Sequence, residues 1–83
     1  MTKAKIYVML KEGVLDPQGK VIQRSLASLS FKGVQQVRQG KVFEIVLEVD
    51  DRRQAETQVQ EMCRQLLVNP VIERYEFVIE GVN

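Results

Sequence analysis

Histidine is absent from this chain and cysteine occurs once, at Cys63. A lone thiol excludes an intrachain disulfide. With no histidine and no second sulfur at a ligand spacing, a metal site is excluded as well, and no cofactor is expected. The missing histidine also removes the commonest general acid–base group and the usual activator of a thiol nucleophile. A surplus of one charge is lacking too: 12 basic residues against 11 acidic leave +1. Nucleic-acid binders normally gather a basic surplus on one face, so none is expected as a partner. The five glycines are scattered and form no phosphate loop. Long hydrophobic runs are also missing. The apolar stretch Ile6 to Leu10 is too short for a secretory core and is followed at once by Lys11 and Glu12. Nothing approaches a transmembrane helix, so the expectation is a cytoplasmic protein with no membrane partner.

What remains is one small domain, residues 1–83. A core of this size rarely supplies more than roughly 3–5 kcal/mol. Without disulfide or metal, self-association or docking on a partner is the remaining source of stability.

Periodicity divides the chain into six elements. Ala4 to Leu10 alternates as a strand, with Ile6, Val8 and Leu10 on one face and Lys5, Tyr7 and Met9 on the other. Asp16 and Pro17 form a helix start, an acceptor for free amides followed by a residue that needs no N–H. The helix is expected to run to about Leu29, with Val21, Ile22, Leu26 and Leu29 as its apolar stripe. Val34 to Arg38 and Val42 to Val49 read as two strands joined at Gln39-Gly40-Lys41, where Gly40 offers the positive φ of a tight hairpin. The second alternates cleanly and the first poorly. Asp50-Asp51 caps a second helix. Ala55, Val59, Met62, Cys63, Leu66 and Leu67 trace its buried face, and Asn69-Pro70 stops it. Val71 to Glu80 is the last strand, with Tyr75, Phe77 and Ile79 on one side.

The order β-α-β-β-α-β predicts an α+β, ferredoxin-like two-layer sandwich. Its four-stranded antiparallel sheet carries both helices on one face, in the strand order fourth, first, third, second. In that arrangement Tyr7, Met9, Val46 and Val78 point away from the helices on three adjacent strands. An open sheet face normally reads polar. Burying one such side chain contributes roughly 1.5–3 kcal/mol, so the four form an expected oligomer face.

Candidate chemistry is thin. Cys63 lies on the apolar stripe and reads as a core residue. Lys11, Gln18, Lys20, Arg38 and Lys41 could gather around an anion, or simply be solvated. The topology hosts many functions. Tyr7 is the one outward aromatic of the central strands, short of the set that stacks RNA bases. A stand-alone ligand-binding regulatory domain at a dimer interface stays open as the alternative function.

Three segments carry a more specific resemblance: Leu10-Lys11-Glu12-Gly13-Val14-Leu15-Asp16-Pro17-Gln18-Gly19, Val37-Arg38-Gln39-Gly40-Lys41, and Met62-Cys63 with Leu66-Leu67-Val68-Asn69-Pro70-Val71-Ile72-Glu73. Together they resemble the PurS family of phosphoribosylformylglycinamidine synthase subunits, over essentially the whole chain. Gln39 departs from the family pattern, which more often has an apolar residue there. The resemblance implies a non-catalytic subunit bridging a synthetase and a glutaminase subunit and helping ammonia pass between them. The whole assembly converts formylglycinamide ribonucleotide to formylglycinamidine ribonucleotide with ATP and glutamine, in purine biosynthesis. It implies dimers or tetramers of the chain itself, with strand exchange between protomers left open. It also marks Asp16, Pro17, Gln18, Gly19, Arg38, Gly40, Lys41 and Asn69 as motif positions that contact partners or hold the local turns.

Overall fold

The computed structural model describes residues 1–81. Strand β1, Thr2–Leu10, is central. It pairs antiparallel with β2, Lys41–Leu47, on one side and with β3, Glu73–Gly81, on the other. The alternation of β1 sets its two faces. Thr2, Ala4, Ile6 and Val8 are buried, whereas Lys3, Lys5, Tyr7 and Met9 point the other way. On the buried face the register sets Ile6 between Phe43 and Phe77, and Ala4 between Ile45 and Ile79.

Helix α2, Arg52–Met62, covers that face. The Asp51 carboxylate accepts the Arg53 amide at its start (3.0 Å). Ala55, Val59 and Cys63, four residues apart, are fully buried against β1. Residues Cys63–Leu67 then widen into a π-helical turn, closed by the Val68 amide donating to the Cys63 carbonyl at 3.0 Å. The extra residue shifts the phase of the apolar stripe. Val68 becomes the next buried side chain, Leu67 is half-buried, and Leu66 is turned out at 83 % exposure. The expected place of Leu66 on the buried stripe is thereby corrected.

Helix α1, Pro17–Ser28, forms with the expected boundaries. Ser30 takes a left-handed φ of 72°, and the Ser30 and Phe31 amides donate back to the Ala27 and Leu26 carbonyls. That pair of bonds is the Schellman stop of a helix, here made without glycine. Its packing differs from expectation. The two-layer arrangement with both helices on the sheet is not formed within this chain: α2 covers the face and α1 projects. Only Gly19 of α1 is buried, and Val21, Ile22 and Leu29 are exposed.

Among the described residues the sheet has three strands, where four were expected, and Val34–Arg38 lies outside any ladder. That segment is rich in glutamine and alternates poorly, and it pairs with no strand among the described residues. Its backbone is held by side chains instead: Gln23 donates to the Val34 and Gln35 carbonyls (3.4 and 3.1 Å). The hairpin at Gly40 is likewise absent, and positive φ belongs to Gly13 and Gly33. Gly40 is required for close approach, since a Cβ there would strike the Val8 carbonyl and the Met9 sulfur.

The result is a thin, elongated protomer of 48 × 29 × 15 Å with a radius of gyration of 16.4 Å. A compact chain of this length would measure about 12 Å. No helix among the described residues is long and apolar enough to cross a membrane.

These packing assignments separate two substitutions. Ile6→Ala, at the centre of the covered face, should cost about 2–5 kcal/mol. Leu66→Ala should stay within about 0.5 kcal/mol of the parent. Urea unfolding at fixed protein concentration measures both, and a large loss at Leu66 would contradict the π-turn.

Candidate functional site

All three sequence segments meet at one end of the sheet, around a cavity of about 430 Å³ lined by parts of 8–18, 39–41 and 72–73. Asp16 is the centre of this cluster. Its Oδ1 accepts the Gly19 amide (2.9 Å), capping α1, and its Oδ2 accepts the Gln39 amide (2.7 Å). One buried carboxylate thus ties the helix start to a chain segment 23 residues later. Pro17 occupies the first helical position, where no amide is missed. Gly19 has no room for a side chain, because a Cβ would run into the Val37 carbonyl. Gln18 is exposed on the cavity wall.

Arg38 fastens the other side. Its guanidinium donates to the Lys11 and Val14 carbonyls (2.9 and 3.1 Å) and, at 3.3 Å, to that of Leu10. These carbonyls lie at the end of β1 and in the turn that follows it, where a forked donor can serve several acceptors at once. Lys41 pairs with Glu73 (3.6 Å) and lies 5.6 Å from the centre of the Phe43 ring. Asn69 organises the last segment. Its Oδ1 accepts the Val71 amide (3.0 Å), its carbonyl accepts the Ile72 and Glu73 amides, and its own amide donates to Glu73 (2.8 Å). Lys11 closes the ring, its amide donating to the Ile72 carbonyl at 2.8 Å and its ammonium to that of Pro70 at 2.6 Å.

The electrostatics follow from these bonds. The Gln39 amide first, then the Gly19 amide, and finally the Arg38 charge hold the Asp16 carboxyl below its usual range against the opposing effect of burial. Burial alone pushes the Cys63 thiol up, so it stays protonated inside the core as expected. The proposed anion set does not assemble: Arg38 is spent on carbonyls, Lys41 on Glu73 and Lys11 on Pro70, and Lys20 lines a different groove. Among the described residues no three His, Cys, Asp or Glu side chains are placed to hold a metal ion.

Tyr7, Met9, Val46 and Val78 do share the sheet face opposite α2, on all three strands. They are interleaved with charge: Val46 faces Lys3, Val78 faces Lys5, and Glu44 pairs with both lysines at 3.6 Å. Val42, directly opposite Tyr7 and 56 % exposed, belongs with them. The β2 alternation that placed Val46 there also marked Val42, although the expected oligomer face did not include it.

Fold and site define a small α+β protein with one helix and one sheet face left uncovered and a tightly bonded turn cluster between them. The PurS family, described as phosphoribosylformylglycinamidine (FGAM) synthase, matches residues 3–81. The PurS subunit of Bacillus subtilis is 49% identical over 82 residues, spanning 99% of this chain and 96% of that one. The PurS subunit of Methanocaldococcus jannaschii is 42% identical over 82 residues, 99% of each chain. The crystal structure of the M. jannaschii protein superposes with a TM-score of 0.89 over 100% of both chains at 41% identity. A PurLQS structure from Thermotoga maritima superposes with a TM-score of 0.86, covering 95% of this chain and 96% of that one at 34% identity. The chain belongs to the PurS family of FGAM synthase subunits.

Asp16→Ala should lower the melting temperature at pH 7 by about 5 °C, the size expected for a lost cap and tether in so small a domain. Because the folded carboxyl titrates below its unfolded value, its stabilisation is complete above the unfolded value and disappears as pH falls through the folded one. The gap between parent and variant should therefore narrow below about pH 3.9 in thermal melts.

Proposed function

We propose that this chain is the small, non-catalytic subunit of FGAM synthase in purine biosynthesis. In this reading it bridges the synthetase and glutaminase subunits and supports ammonia transfer between them. The observation that carries it is the family match across residues 3–81, with 49% identity to the B. subtilis subunit. The chemistry of the assembly is an ATP- and glutamine-dependent C–N ligation. Ammonia released from glutamine replaces the amide oxygen of formylglycinamide ribonucleotide, and ATP makes that oxygen a leaving group. Such ammonia is lost to solvent unless its source and its consumer are held together, which gives a bridging chain its use. The uncovered sheet face and the projecting α1 support a role in assembly over one in catalysis, and cytoplasm is the compartment proposed.

The same reading includes a dimer or tetramer of the chain. Tyr7, Met9, Val46 and Val78, with Val42, supply apolar surface for it. The apolar stripe of α1 and the unpaired Val34–Arg38 segment suit a second copy, where β2 offers a free edge for strand exchange. Asp16, Pro17, Gln18, Gly19, Arg38, Gly40, Lys41 and Asn69 are proposed as partner contacts, or as the residues that hold such contacts in place.

Reconstitution with purified synthetase and glutaminase subunits tests the bridging role. Omitting this chain should abolish most glutamine-driven product formation while leaving ammonia-driven synthesis in place. Unchanged glutamine-driven turnover would sink the reading. Sedimentation across the micromolar range should show a mass of at least two protomers, and a protomer mass throughout would remove the self-assembly part.

A further inference from the structure

Charge is unevenly divided along this nearly neutral chain. Residues 17–43 hold five bases and no acid, while the remainder holds seven bases against eleven acids, a net −4. Two of the five bases are already engaged, Arg38 with turn carbonyls and Lys41 with Glu73. The other three, Lys20, Arg24 and Lys32, make no ion pair among the described residues, and all three line one open groove of about 610 Å³ beside α1. The exposed Phe31 ring lines the same groove, and Gln23 fixes its far wall by holding the Val34 and Gln35 carbonyls. Lys20 and Arg24 stand one helical turn apart, a like-charge spacing that weakens a helix unless a counter-charge is supplied.

We propose that this groove is a docking site for a carboxylate-rich surface of another subunit. The inference rests on the bridging role proposed above. Three features select that occupant. Ile22 and Leu29 lie roughly 180° around α1 from Lys20 at about 100° per residue, so a second copy can cover the apolar side while the basic side stays open. A long polyanion demands many more cations than three, and the acidic remainder of the chain would repel it. Phe31 at the rim adds the aromatic contact that protein interfaces favour over solvent.

The test measures binding of the full chain to purified synthetase and, separately, purified glutaminase. Parent chain should bind at least one of them, more weakly as salt rises through the range where the screening length falls below about 10 Å. The triple reversal K20E/R24E/K32E should weaken that binding at least about tenfold and flatten its salt dependence, with sedimentation unchanged. The neutral variant K20Q/R24Q/K32Q, which should fold even where the reversal does not, should lose an intermediate amount. Equal binding by both variants and parent would overturn the groove assignment while leaving the bridging role intact. Loss of self-association alongside binding would overturn it as well, assigning the groove to a second copy. A parent chain that binds neither subunit, or prefers RNA or anionic vesicles, would instead remove the bridging reading on which the assignment stands.

Discussion

The two oxygens of the Asp16 carboxylate do different work, one capping α1 and the other receiving the amide of Gln39. Most of what is unusual in this protomer follows from that division. Only Gly19 of helix α1 is buried, so its direction is set largely by polar bonds at its start and by Gln23 along its flank. Arg38, one residue before the tethered amide, secures the turn that leaves β1. An arrangement held this way is directional and exact in geometry, but it buries little apolar surface. Its strength comes mainly from the charge-assisted bonds of Asp16 and Arg38, a kind roughly twice as strong as neutral ones.

Such a frame explains which parts of the structure could be read from residue order. Strands β1, β2 and β3 and helix α2 carry strong periodicity, and their faces follow from it. The cap at Asp16 and Pro17 was legible because local chemistry decides it. Three features were not. The π-turn arises from backbone widening that no side-chain pattern announces, and it moved Leu66 outward in favour of Val68. Val34–Arg38 has the composition of a weak edge strand, and whether it pairs depends on what lies beside it. The projecting position of α1 is a tertiary fact: an apolar stripe states that a helix will be covered, not by which molecule.

For the site, the motif residues were legible as a group and their meeting place was not. Asp16, Arg38 and Asn69 are separated by 22 and 31 positions in the chain. Their common role is to satisfy backbone groups at the points where strands end, which is why short polar side chains and an arginine recur there. The open sheet face is a less greasy surface than its apolar members alone suggest, because Lys3, Lys5 and Glu44 interleave with them. Exposed to water, a face of that kind costs less than its apolar side chains alone would suggest.

Helix α1 spans 12 residues, a length at which an isolated helix in water is only marginally formed. Any neighbour that covers it therefore spends part of its binding energy on ordering it. Association through this helix would then carry the heat-capacity signature of the surface it hides together with the cost of that ordering.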